Sequence, residues 1–214
     1  MIDLDKYTHV SFDLDGTLVR THSDYRYQIV PRTIKHCEGN TGVASQNIDR
    51  FWFESERDSI IKEHFGIDPK AFWDAFCEFD TVEWRSSYTH AYEDAEPALR
   101  RLSEMRKHVS IITGAPDWIA RMEIEKLNGA PYDHHISLRH GEHPLKPDPA
   151  SMFATLEHLS VQPHETLYVG NSNEDAVFAK NAGCNFVYVE RREHIFENTA
   201  WMIAVIESLD ELFS

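Results

Sequence analysis

Asp13 and Asp15 stand one residue apart, followed by Gly16 and Thr17, at the end of the run His9-Val-Ser-Phe. Two carboxylates held that close repel each other unless a cation or phosphate chemistry uses them. An Asp-Gly pair is also an ordinary turn. Further along, Thr113-Gly114 offers a hydroxyl beside a glycine amide, and Lys146-Pro147-Asp148-Pro149 presents a lysine from a stiff loop. Gly170-Asn171-Ser172-Asn173-Glu174-Asp175 adds a set of oxygen ligands. Each set has a plain explanation: Thr113, or one of Asn171, Ser172 and Asn173, as a helix N-cap, and Lys146 as a surface lysine. Four independent caps and turns are a less economical account than one site holding two acids, a fixed cation and polar donors.

The elements around these residues put them on one edge. His9–Phe12, Val109–Thr113, His134–Ser137, Leu167–Val169 and Phe186–Val189 read as buried strands. Helical patterns fall at Pro97–Arg106, Ala115–Leu127, Pro149–Leu159 and Asn173–Ala182, the last closing at Gly183. Strands alternating with helices predict an α/β fold, a Rossmann-like parallel sheet with helices on both faces. In such a sheet ligands bind outside the carboxyl ends of the strands, where all four polar sets lie.

One long stretch breaks the alternation. Residues 20–92 read as helical throughout, with Gln46–Phe65 and Lys70–Phe79 carrying aromatic stripes of the kind that fill a core. This predicts an inserted helical domain over 20–92, with 1–19 and 93–214 forming the α/β core. The insert carries a net charge of −3, against −12 for the rest. Ile203–Phe213 reads as a final amphipathic turn or helix.

Composition narrows the function. The 214 residues carry a net charge of −15, which argues against nucleic-acid binding and against docking on anionic lipid. No apolar run is long enough to cross a bilayer, and the first residues do not read as a secretory signal. Cys37, Cys77 and Cys184 are too far apart for a metal-spaced set, which fits a reduced cytoplasmic setting. The sequence fixes no oligomeric state. His134, His135, His140 and His143 cluster in sequence, but alternation along a strand separates the first two.

The four polar sets resemble the four motifs of the haloacid dehalogenase-like (HAD) hydrolase superfamily. Asp13-Leu-Asp15-Gly16-Thr17 resembles the first motif, Thr113-Gly114 the second, Lys146 the third, and Gly170-Asn171-Ser172 with Asp175 the fourth. The insert between motifs one and two is similar to the helical (C1-type) cap of phosphoglycolate phosphatases and β-phosphoglucomutase. The resemblance implies hydrolysis of a small phosphorylated metabolite through an aspartyl-phosphate. It makes Asp13 the nucleophile, Asp15 the acid and base, and Thr113, Gly114 and Lys146 the holders of the phosphoryl group. It further implies Mg²⁺ on Asp13, Asp15, Asn171 and Asp175. Arg20 and His22, where the chain enters the insert, become candidates for the non-reacting part of an anionic substrate, with Tyr25, Arg26, Arg85 and Tyr88 behind them. The family usually has Asp where this chain has Asn171, so the site loses one negative charge. That departure keeps open a weakly catalytic metabolite-binding module, and a phosphomutase using the same Asp13 and Asp15 on this scaffold is the other alternative. A dehalogenase lacks the second acid at position 15, and a phosphonate hydrolase usually has Ala there.

Overall fold

The computed structural model describes residues 2–54, 56–139, 141–193, 196 and 201–214. In chain order it places β1 at His9–Phe12, β2 at Val19–Thr21, α1 at Ser23–His36, α2 at Ser45–Phe53, α3 at Arg57–Ile60, α4 at Pro69–Phe79, α5 at Val82–Ser86 and β3 at Thr89–Ala91. There follow α6 at Ala95–Glu104, β4 at His108–Pro116, α7 at Asp117–Glu125, β5 at His134–Arg139, α8 at Ala150–Leu159, β6 at Thr166–Gly170, α9 at Asn173–Ala182, β7 at Asn185–Val189 and β8 at Met202–Ile206. The described chain divides into two units, one of 1–20 with 90–214 and the other of 21–89.

The first unit is built on a six-stranded sheet in the order β5-β4-β1-β6-β7-β8, with every neighbouring pair parallel. Its helices cover both faces. Side chains alternate along each strand, so Val10, Phe12, Val109, Ile111, Leu167, Val169, Val187 and Val189 meet α6 and α7 on one side. Ile112, Tyr168, Phe186 and Tyr188 meet α8 and α9 on the other. On β1 that second side is polar: His9 bonds Thr166 at 3.1 Å and Ser110 at 2.8 Å, and Ser110 donates to Ser11 at 2.8 Å. Buried polar groups are tolerated when each finds a partner, as these do.

Two expectations are corrected here. Ile203–Phe213 is not one amphipathic helix: β8 ends at Ile206, and a 3-10 turn over Leu209–Phe213 follows. The β-branched run Ile203-Ala-Val-Ile pairs with β7, and that pairing outweighs the weak helical pattern. The strand expected to end at Thr113 runs on to Pro116, with its register shifting between Thr113 and Pro116, so α7 begins at Asp117.

The inserted unit has its own core. Ile48, Phe51, Ile60, Ile61, Phe65, Phe72 and Phe76 are buried together. Phe51 stands at the centre, 5.2 Å from the Phe72 ring and 5.6 Å from that of Phe65. The single helix expected over Gln46–Phe65 is broken. Backbone at Glu54 is extended, and a π turn over Ile61–Phe65 ends at Gly66 with φ of +70°, a conformation glycine adopts freely. The break lets aromatic rings from both halves of the segment reach α4.

Candidate active site

β1 delivers Asp13 to the carboxyl edge of the sheet, where its N–H is still bonded to Val169 at 2.9 Å. The chain then turns sharply: Gly16 N–H donates to the Val19 carbonyl, and Leu18 N–H to the Leu14 carbonyl. Gly16 has φ of +84°, and a methyl group there would collide with the Asn171 amide. The turn that follows the two acids therefore packs directly against the end of β6. Thr17 Oγ1 donates back to Asp13 Oδ2 at 3.2 Å.

Lys146 is the other half of the site. Its side chain is almost fully buried, and its Nζ donates to Asp13 Oδ1 and to Asp175 Oδ1, both at 2.7 Å. Nζ also lies 3.2 Å from the Tyr168 hydroxyl and 3.4 Å from the Ile112 carbonyl. Burial works against the ammonium charge, but Asp13 and Asp175 outweigh it and hold Lys146 protonated well above its ordinary range. Asp13 moves up from the usual carboxylate range: burial raises it, Lys146 pulls it back, and Asp175 and Asp15 push it up again. One cation is thus shared between two buried acids.

Asp175, expected among the metal ligands, has both oxygens engaged elsewhere. Oδ1 takes Lys146 and the Tyr168 hydroxyl, and Oδ2 takes the Ser172 N–H at 3.2 Å and its hydroxyl at 2.6 Å. Ser172 is the N-cap of α9 and forms a capping box with Asp175. Glycine at 170 makes the approach possible, because a Cβ there would lie 2.6 Å from the Asp175 carboxyl carbon. Asp175 thus belongs to the Lys146 cradle. Asn171 is buried and touches the Gly16 turn. Asp13, the Asp15 carbonyl and Asn171 offer oxygen donors only, which suits a hard divalent cation. Among the described residues no group of three or more His, Cys, Asp or Glu side chains is arranged to hold a metal.

Thr113 is buried near the end of β4, and its hydroxyl accepts from the Ala115 N–H at 3.2 Å. It is not the cap of α7, whose N-cap is Pro116. A side chain added at Gly114 would meet nothing within 4 Å, so the backbone there faces open space. Arg20 is exposed on β2, and His22 is the N-cap of α1, its ring nitrogen accepting from Asp24 N–H at 3.3 Å. Tyr25 and Arg26, also considered for substrate, are spent inside the inserted unit on Asp80 and Asp49. Arg85 pairs with Asp80 at 3.2 Å, and Tyr88 meets Gln28. His134 stacks on His158 at 4.4 Å between ring centres, and His140 lies outside the described residues.

Two members of the site went unassigned in the sequence, Tyr168 and the Thr17 hydroxyl. A tyrosine inside a buried strand must find a partner for its hydroxyl, and that was the available signal for Tyr168.

The sequence profile of the haloacid dehalogenase-like hydrolases matches residues 10–189. The chain belongs to this family. It is 25% identical over 186 residues to a phosphoglycolate phosphatase of Pseudomonas fluorescens, covering 83% of this chain and 67% of that protein. A phosphoglycolate phosphatase of Pseudomonas syringae is 24% identical over 213 residues, covering 91% of this chain and 75% of the relative. The fold is that of a Bacteroides fragilis protein assigned to the haloacid dehalogenase-like hydrolases, with a TM-score of 0.78 at 24% identity, covering 96% of this chain and 99% of that one. The matched span 10–189 contains Asp13, Thr113, Lys146 and Asp175.

Proposed function

We propose that this hydrolase is a Mg²⁺-dependent phosphatase that cleaves a small phosphorylated metabolite through an aspartyl-phosphate on Asp13. The observation that carries the reading is the Lys146 ammonium, buried and bonded to Asp13 at 2.7 Å. A fixed cation beside a carboxylate lets that carboxylate approach a phosphoryl dianion, which is the main electrostatic obstacle in phosphoryl transfer.

In the first half-reaction an Asp13 oxygen bonds to phosphorus as the ester P–O bond breaks, and Asp15 gives its proton to the leaving oxygen. In the second, water attacks phosphorus and gives a proton to Asp15. Phosphate leaves and Asp13 is regenerated. The Thr113 hydroxyl and Gly114 N–H bind phosphoryl oxygens. Asp175 and Tyr168 hold Lys146, and the Thr17 hydroxyl orients Asp13. Mg²⁺ on Asp13, the Asp15 carbonyl and Asn171 would supply charge neutralisation for the phosphoryl group. Arg20 and His22 are the candidates for contacting the remainder of the substrate. No described helix is long and apolar enough to cross a membrane. Cys37, Cys77 and Cys184 are reduced, which fits a cytoplasmic setting.

The test is phosphate release from an aryl phosphate and a panel of phosphorylated metabolites, with and without Mg²⁺. Turnover that needs the metal and is lost in Asp13→Asn is the expected result. Equal rates in wild type and Asp13→Asn across the panel overturn the reading.

A further inference from the structure

We propose that Arg191 is a positioning residue for the Asp13 loop, a role that rests on the reading of Asp13 as nucleophile. Arg191 follows β7 at the carboxyl edge of the sheet. Its Nη2 donates to the Thr17 carbonyl at 2.8 Å, and Thr17 is the residue whose hydroxyl bonds Asp13. The same guanidinium binds both oxygens of Asp94, through Nη1 at 2.8 Å and Nη2 at 2.9 Å, and lies 3.9 Å over the Tyr92 ring. Asp94 also accepts from the Ser208 hydroxyl at 2.9 Å and the Leu209 N–H at 2.8 Å. Tyr92 N–H bonds the Leu18 carbonyl at 3.0 Å, and its hydroxyl donates to Glu193 at 2.9 Å.

These contacts have a direction. An arginine needed only to neutralise Asp94 would be satisfied by the carboxylate. Here one arm of the fork is also aimed at the backbone of the loop that follows the two acids. Both side chains of the pair are nearly buried, at 7% and 11% exposure, so the arrangement is held within the fold. The loop is held at two points, by Lys146 on Asp13 and by Arg191 on the Thr17 carbonyl. The rigid fork sets Nη2 between the Thr17 carbonyl and one Asp94 oxygen while Nη1 holds the other, a spacing of donors that the single nitrogen of a lysine does not reproduce.

The experiment compares Arg191→Met and Arg191→Lys with wild type in three readouts: steady-state phosphatase kinetics, thermal midpoint, and amide hydrogen exchange over residues 14–19. In Arg191→Met, kcat falls by on the order of tenfold to a hundredfold with KM within about twofold, as expected of a misplaced reacting group. Exchange over 14–19 speeds up while exchange over β4 and β6 is unchanged. Arg191→Lys restores the thermal midpoint, since Asp94 keeps a cation, but does not restore kcat. Recovery of kcat by lysine overturns the inference, as does unchanged exchange over 14–19 in Arg191→Met. Should wild type hydrolyse no phosphate monoester, the phosphatase reading fails and this inference is decided by the exchange alone.

Discussion

Lys146 serves two carboxylates with one ammonium, and the Tyr168 hydroxyl completes the arrangement by lying within reach of both Lys146 and Asp175. A hydrogen bond to a charged partner contributes about 1.5–3 kcal/mol. In Tyr168→Phe we expect kcat to fall by about tenfold, the equivalent of about 1.4 kcal/mol, and the thermal midpoint to fall by several degrees. Steady-state kinetics beside a melting curve checks this, and an unchanged kcat removes Tyr168 from the Lys146 cradle. Asn171 is a neutral donor where the family usually has an acid. Asn171→Asp should tighten Mg²⁺ binding on the order of tenfold, because it adds a full charge at contact distance; titration calorimetry with Mg²⁺ alone reads it. No change in affinity takes Asn171 out of the ligand set. At this scale the sequence was legible where residue type and spacing were both unusual, as with Asp13 and Lys146, which the fold brings into contact. It was silent on Tyr168, which looks like any aromatic residue in a buried strand, and on Arg191, whose partners lie 97 and 174 residues away.

The strands of the core were legible as elements because buried parallel strands are short apolar runs bounded by turns. β8 was not, since five residues of mixed burial read equally well as part of a helix until β7 is beside them. Period also fails to reveal what lies between strands, and the polar seam of His9, Ser11, Ser110 and Thr166 is the example. Burial, with His108 and His134 adding to it, pushes His9 down to about 3, far below an unfolded histidine. A histidine depressed in the folded state contributes stability that is complete above about pH 6.5 and lost as pH falls toward 3. Wild type should therefore lose on the order of 2 kcal/mol through this group between pH 7 and pH 4.5. His9→Gln, which keeps hydrogen-bonding groups but cannot titrate, should lose less over the same interval. Urea midpoints for both proteins at the two pH values provide the comparison, and parallel losses would remove His9 as the cause.

Each of the two units has an interior of its own. That of the inserted unit includes a buried polar group: Asp80 pairs with Arg85 at 3.2 Å and accepts from the Tyr25 hydroxyl at 2.5 Å. Removing one partner of a buried ion pair costs about 3–5 kcal/mol. Asp80→Ala should speed amide exchange across 21–89 while leaving β4 and β6 protected, because separately packed regions open separately. Equal loosening of both units would show that they unfold as one. The helical composition of this insert was legible from its aromatic stripes, but its breaks were not, since they depend on how rings from distant segments share one interior. The sheet order has a consequence for how the chain is made. His9 pairs with His108 on one side and Thr166 on the other. On a ribosome adding 5–20 residues each second, β1 waits roughly ten to thirty seconds for its second neighbour. The inserted unit is one continuous run and has all its partners once Thr89 has emerged. The strand that carries Asp13 is the first of the sheet to be synthesised, yet its flanks are closed only after the strand on its far side has been translated.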